Sequence, residues 1–206
     1  MNVPLSFIRD RLAVHSATVL EIPFEQVRVR GSVALCLREA GEDTELLLIQ
    51  RAEFEGDVWS GDIAFPGGRI DSAEEPPRVA AERETLEEVG IDLSSAEYLG
   101  RIDDVTGTSH EVLVSAFVFA VGEGQQIDLN HEVSATRWMA MSEIGDPCRQ
   151  LMHEFEFRGE KVLLPALRVF DDDQVPLLWG LTYQFLRLFT ELLDRPIPGM
   201  PWRENS

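Results

Sequence analysis

The stretch GGRIDSAEEPPRVAAERETLEEVGI, residues 67–91, restricts this chain more than any other part of it. Glu84, Glu87 and Glu88 stand at i, i+3 and i+4, so a helix gathers three carboxylates on one face. Like charges at that spacing repel and destabilise an isolated helix. They become favourable when a hard divalent cation neutralises them, because Mg²⁺ and Mn²⁺ prefer carboxylate oxygens. A solvated acidic face is the alternative for a bare ExxEE, and the flanking residues argue against it. Ile63-Ala64-Phe65 reads as a strand end. Pro66-Gly67-Gly68 then allows a tight turn with positive φ and a close backbone approach to a ligand. Asp71 or Ser72 starts the loop. Pro76 and Pro77 suit a first helical turn, and Gly90 suits the position after the last. The spacing predicts a helix over Pro77 to Val89, with Val79 and Leu86 facing inward and the glutamates facing elsewhere.

Arg83-Glu84-Thr85-Leu86-Glu87-Glu88-Val89-Gly90-Ile91, with Glu75 eight positions before Arg83, resembles the signature of the Nudix family, a box that here covers 68–91. Two departures stand out. The Gly68-to-Glu75 spacing is one residue longer than the general signature, and Thr85 replaces an aliphatic residue. The resemblance implies an α/β fold: an α/β/α sandwich with a mixed sheet, a catalytic loop and helix, and a closing C-terminal helix. It also implies hydrolysis of a nucleoside diphosphate linked to some group X, with Mg²⁺ or Mn²⁺ as cofactor. Glu84, Glu87 and Glu88 would hold the metal, with the Gly67 carbonyl as a further oxygen ligand. Arg83 would orient the glutamates and Glu75 would pair with Arg83. Glu132, just before the Trp138 strand, is the expected general base, with His131 as its rival and a box glutamate as the alternative. Asp103, Asp104 and His110 are expected on loops that border the site.

Three further features resemble the coenzyme A pyrophosphatase branch. They are Leu47-Leu48-Ile49-Gln50-Arg51-Ala52, the run from Gly61 to Gly68, and Leu178-Trp179-Gly180-Leu181-Thr182. The branch carries a second Arg where this chain has Gly56, and the following loop is one residue longer here. Arg51, Trp59 and Arg69 are the residues expected to touch substrate. Coenzyme A or an acyl-CoA is therefore the first expectation, and ADP-ribose or another nucleoside diphosphate derivative the second. A non-catalytic nucleotide sensor is the third, disfavoured by the complete set of box glutamates.

The 206 residues suffice for one domain over 1–206, with an N-terminal helix at about 4–14 and a C-terminal helix at about 178–194. Leu5, Ile8 and Leu12 form the inward stripe of the first helix, and Leu181, Phe185, Leu188 and Leu192 that of the last. Strands are expected over Val27 to Leu37, Thr44 to Gln50, Tyr98 to Val105, Glu111 to Val121 and Ala135 to Met139. A hairpin should turn at Arg158-Gly159-Glu160. A net charge of −19 argues against unassisted binding to nucleic acid or an anionic membrane. It leaves room for a phosphorylated small molecule, because bound cations invert the local field. Cys36 and Cys148 are too few and too distant for a zinc site or a disulfide framework. Cys36, in an apolar run, is expected to be buried and inert. With no 18-residue apolar run and charges interrupting the first helix, the cytoplasm is the expected compartment. A homodimer is expected only if the last helix exposes apolar residues.

Overall fold

A computed structural model describes residues 2–54, 60–107, 111–157, 160–172 and 176–198. In chain order the elements are α1 (Leu5–Val14), β1 (Val29–Ala40), β2 (Asp43–Arg51), β3 (Ile63–Ala64), β4 (Gly67–Arg69), α2 (Pro77–Val89), β5 (Glu97–Thr106), β6 (Val112–Ala120), β7 (Val133–Ala140), α3 (Met141–Ile144), β8 (Gln150–Phe157), β9 (Glu160–Leu167) and α4 (Gly180–Leu192). Seven strands form one mixed sheet in which β1 and β6 run parallel and every other pair is antiparallel. The expected turn of the hairpin β8–β9, Arg158-Gly159, lies outside the described residues.

The sheet sorts its side chains by the two-residue period of a strand. Leu35 and Leu37 of β1, Leu46 and Leu48 of β2, and Ala116 and Val118 of β6 join one core with α1 and α4. Ala34 and Cys36, Leu47 and Ile49, and Phe117 and Phe119 point the other way and join a second core with α2. Three central strands buried on both faces give the α/β/α layering. Leu5, Ile8 and Leu12 are buried as expected. In α4 the fully buried residues are Phe185, Leu186 and Phe189, with Tyr183 close behind, while Leu181, Leu188 and Leu192 only pack against the edge of the core. Among the described residues, α4 exposes no large apolar side chain. Burial pushes the Cys36 thiol up to about 12, so it stays protonated and inert.

A fork in the sheet prepares the site. β1 and β2 pair directly only over Leu37–Ala40 and Asp43–Leu46, then part. β3 takes over the freed edge of β2, and β4 takes over the freed edge of β1. The expected turn at Gly67-Gly68 is therefore a strand, with the bend one residue earlier at Pro66. Gly67 has φ +148, where a Cβ would stand 2.6 Å from Val33 Cα. Glycine is thus required there by the close approach to β1, and the positive φ was read correctly.

Asp43 fastens the opposite end of β2. Its Oδ1 accepts from the backbone N–H of Val3 at 2.8 Å and of Thr44 at 2.9 Å, and its Oδ2 accepts from Ser142 N–H at 3.1 Å. One carboxylate so joins the N-terminus, β2 and α3. Burial opposes its charge, but the Ser142, Val3 and Thr44 bonds hold its pKa below the ordinary 3.8. A depressed pKa stabilises the fold above the unfolded value and ceases to do so as pH falls through the folded one. Asp43→Asn keeps two bonds but can turn an amide N–H₂ toward Ser142 N–H. It is expected to lose about 2 kcal/mol in urea denaturation at pH 7. The gap to wild type should narrow below about pH 4, and an equal gap at both pH values would mean the charge itself contributes nothing.

Candidate active site

α2 has the predicted bounds, Pro77–Val89, and ends on Gly90 at φ 73 and ψ 9, the left-handed cap expected of it. Its inward face differs from the expectation. Val79 and Leu86 are 44% and 49% exposed, whereas Ala80, Ala81, Thr85, Glu88 and Val89 are buried. Small residues on that face let the helix lie close to the sheet. Thr85, in the place of an aliphatic residue, is tolerated because its hydroxyl donates to Ala81 O at 2.7 Å. The helix is pinned at both ends. Ser32 Oγ donates to Pro77 O at 2.5 Å, while Asp128 N–H and Asn130 N–H donate to Val89 O at 3.0 Å and Glu88 O at 3.1 Å.

The three box glutamates occupy three depths. Glu87 is mostly exposed at 55% of its side chain, Glu84 is largely covered at 16%, and Glu88 is buried at 2% of the residue. Glu88 Oε2 accepts from Gly67 N–H at 2.9 Å. The carboxyl of Glu84 lies against Gly68, where a Cβ would stand 2.7 Å from its Oε1. Gly67 is thus needed for its backbone contact with β1, while Gly68 leaves the room that the Glu84 carboxylate occupies. Burial pushes the Glu88 carboxyl up to about 8, opposed by the Gly67 N–H and reinforced by the charge of Glu84. Arg51 lowers it and Glu132 raises it further, so both side chains bear on the same carboxylate. Glu84 is also raised, first by burial, with Glu87 and Glu132 adding to it and Arg83 opposing.

Arg83 organises the cluster. Its Nε donates to Glu75 Oε1 at 3.0 Å, its Nη1 to Glu84 Oε1 at 2.7 Å and to Glu87 Oε2 at 3.5 Å, and its Nη2 to the Arg69 carbonyl at 3.1 Å. Glu75 is held below the usual carboxylate range, first by the Arg83 hydrogen bonds and then by Asp71 N–H. The expected pairing of Glu75 with Arg83 is present.

Glu132 lies beside the box. A bulge between β2 and β7 shifts the register at Gln50/Arg51, and Ser134 Oγ fills the irregularity by donating to Gln50 O at 3.2 Å. Ala52 N–H then donates to Glu132 O at 2.7 Å, which sets Glu132 beside the end of β2. The bulge therefore sets Glu132, whose charge bears on Glu84 and Glu88, beside the end of the strand that carries Arg51, whose charge bears on Glu88. His131 is exposed and meets the Phe54 ring edge-on. Arg69 contributes its carbonyl to Arg83, and its side chain is exposed. Trp59, Gly56 and His110 lie outside the described residues. Asp103 and Asp104 do not border the site. They accept from Thr18 N–H at 2.8 Å and Leu20 N–H at 3.0 Å and hold the N-terminal segment against β5.

The donor set suits a divalent cation. A buried carboxylate whose charge is opposed this strongly, beside a second raised carboxylate, is relieved by positive charge. Oxygen-only donors select hard cations. Among the described residues no three acidic, His or Cys side chains already converge into a cation cage, since Arg83 holds Glu84 toward itself.

Residues 28–162 match the NUDIX domain family, and the chain belongs to that family. Nudix hydrolases generally use divalent cations. The chain is 36% identical to an uncharacterized protein of Schizosaccharomyces pombe over 107 residues, which cover 48% of this chain and 32% of that protein. It is 24% identical to Nudix hydrolase 22, chloroplastic, of Arabidopsis thaliana, over 81% of this chain and 56% of that one. It is 27% identical to the ADP-ribose pyrophosphatase of Mycobacterium tuberculosis, over 84% of this chain and 77% of that one. The chain thus spans about a third to just over half the length of the first two. Among solved structures, the MutT/nudix family protein from Enterococcus faecalis shares the fold, with a TM-score of 0.53 at 17% identity over 93% of this chain and 70% of that one.

The Glu88 shift gives a signed prediction for the metal-free protein. The folded chain holds a proton up to about pH 8 that the unfolded chain loses near 4.5. Stability contributed below pH 4.5 is therefore lost as pH rises through about 8. The melting temperature of wild type should fall relative to Glu88→Gln between pH 5 and 8, and millimolar Mg²⁺ at pH 8 should restore it in wild type alone. A difference that stays flat over that range would mean Glu88 is charged in the fold at no cost.

Proposed function

We propose that this protein is a divalent-cation-dependent hydrolase that cleaves the diphosphate bond of a nucleoside diphosphate derivative, with Mg²⁺ or Mn²⁺ as the cation. The observation that carries the reading is the buried Glu88 carboxylate, bonded to Gly67 N–H and flanked by Glu84, Arg51 and Glu132. Glu84, Glu87 and Glu88, with the Gly67 carbonyl, would hold the metal. Once bound, it would neutralise the diphosphate and lower the pKa of a water. Arg83 and Glu75 act as positioning residues. Their hydrogen bonds fix where the Glu84 and Glu87 carboxylates point, and losing them weakens rather than abolishes turnover. Arg51, whose charge bears on Glu88, binds a substrate phosphate. Arg69, exposed on β4, and Trp59 are the further substrate contacts we assign.

Glu132 accepts a proton from the attacking water. The water oxygen bonds to one phosphorus, the bridging P–O bond breaks, and its electron pair leaves with the other phosphate. Two monophosphates result. Coenzyme A leads within this class, supported by the likenesses of residues 47–52, 61–68 and 178–182 to that branch; Gly56 in place of its second Arg weighs against it. ADP-ribose is the second candidate, favoured by the likeness to the mycobacterial protein named for that activity. The two unpaired cysteines agree with a reducing compartment, and we assign the protein to the cytoplasm.

Hydrolysis should stop after exhaustive EDTA treatment and return with Mg²⁺ or Mn²⁺. Glu84→Gln, Glu87→Gln and Glu88→Gln should each lower kcat on the order of 10²-fold or more. Glu132→Gln should lower kcat roughly 10²- to 10⁴-fold with little change in KM. Wild-type rates in all three box variants, or turnover in EDTA, overturn the reading.

Chromatography of products separates the two substrate candidates. Coenzyme A should give 3′,5′-ADP and 4′-phosphopantetheine, and ADP-ribose should give AMP and ribose 5-phosphate. A kcat/KM for coenzyme A well below that for ADP-ribose removes coenzyme A from first place.

A further inference from the structure

We propose that the Phe54 ring, set edge-on to His131 at the rim of the site, stacks on the nucleobase of the substrate. The inference rests on the diphosphate-hydrolase reading and adds to it the part of the substrate that lies beyond the phosphates.

Phe54 stands three residues after Arg51, and His131 stands beside Glu132. Short bonds tie down the segments around them. Ala52 N–H reaches Glu132 O at 2.7 Å, and Phe54 N–H reaches Ser60 Oγ at 2.6 Å. The Phe54 and His131 rings meet at 6.1 Å with an 85° interplanar angle. In that geometry one ring gives its edge and keeps a face free. Phe54 is 44% exposed, and His131 is exposed as well.

The other exposed aromatic ring among the described residues, Tyr98, does not share this position. It lies under Arg78 at 4.9 Å and against Phe119 at 5.5 Å, so local partners already cover it. The remaining exposed apolar side chains are aliphatic, and single ones need no explanation. Phe54 differs because its backbone is tied down, its one ring contact among the described residues is the edge-on one with His131, and it stands three residues after Arg51, whose charge acts on Glu88. In a nucleotide the base is one sugar away from the phosphate. A diphosphate held between Arg51 and the glutamates therefore presents a flat ring near the loop that carries Phe54. Stacking is indifferent to the identity of the base, since every base has a π-face.

The test uses the whole protein with Mg²⁺ and two probes that differ only in the base, AMP and ribose 5-phosphate, in calorimetric titrations. Wild type should bind AMP roughly 5- to 100-fold more tightly than ribose 5-phosphate. Phe54→Ala should remove most of that preference, and Phe54→Trp should keep it. With whichever diphosphate wild type cleaves, Phe54→Ala should raise KM by a similar factor and leave kcat nearly unchanged. An unchanged AMP preference in Phe54→Ala overturns the proposal. If wild type cleaves no diphosphate, the hydrolase reading falls, and the ratio of AMP to ribose 5-phosphate binding still decides for or against the ring.

Discussion

The bond from Gly67 N–H to the buried Glu88 carboxylate, at 2.9 Å, is where fold and chemistry meet. It joins α2 to the short strand β4, which exists because β1 and β2 part. A carboxylate placed there is costly to charge, which is why its pKa rises to about 8. The fold accepts that cost because the helix is held elsewhere. Ser32 pins its first turn, Asp128 and Asn130 pin its last, and Arg83 ties its middle to Glu75 and to the Arg69 carbonyl. A loosely docked helix would let water reach Glu88 and return its pKa toward 4.5, with nothing then favouring a cation over solvent.

The sequence spoke most clearly where local rules and tertiary structure agree. Two prolines at the start and a glycine at the end bound α2 at the predicted residues. The period-2 strands β1, β2 and β6 were legible because they are buried on both faces and so read as apolar runs. The inward face of α2 was not. Val79 and Leu86 are the large apolar residues of that helix, yet they face outward, and the contact surface is built from alanines, Thr85 and a carboxylate. Side-chain size misleads when the helix must lie close to the sheet and when a buried position is reserved for charge. The glycine pair misled in a similar way. Gly-Gly after Pro reads as a turn, but here one glycine is required by backbone contact with β1 and the other leaves room for the Glu84 carboxyl. Both are tertiary contacts that no local pattern announces. Asp103 and Asp104 look like site residues only until the N-terminal segment they hold is seen.

Glu132 is expected from its distance past the box, and a bulge sets it beside the end of β2. The bulge at Gln50/Arg51 adds one residue to β7 opposite β2. That extra residue turns the chain so that Glu132 lies beside Ala52, and its charge then bears on Glu84 and Glu88 together. The bulge carries no strong sequence signal, because Ser134 differs little from any other strand residue.

A division of labour follows from how the parts are fastened. The glutamates and Arg83 sit on a helix fixed at three points, so their geometry is insensitive to changes at the surface. Arg51, Phe54, His131 and Glu132 sit where β2 ends and β7 begins, joined to each other by the Ala52–Glu132 bond and to the sheet by Ser134. The box resembles its family closely, while the segment after Arg51 departs from the branch that the rest of the chain resembles. Gly56 in place of an arginine removes a positive charge from that segment, and Phe54 two residues earlier offers an uncharged face instead. The proposed stacking contact would give tolerance for different groups X, since stacking asks only for a flat ring.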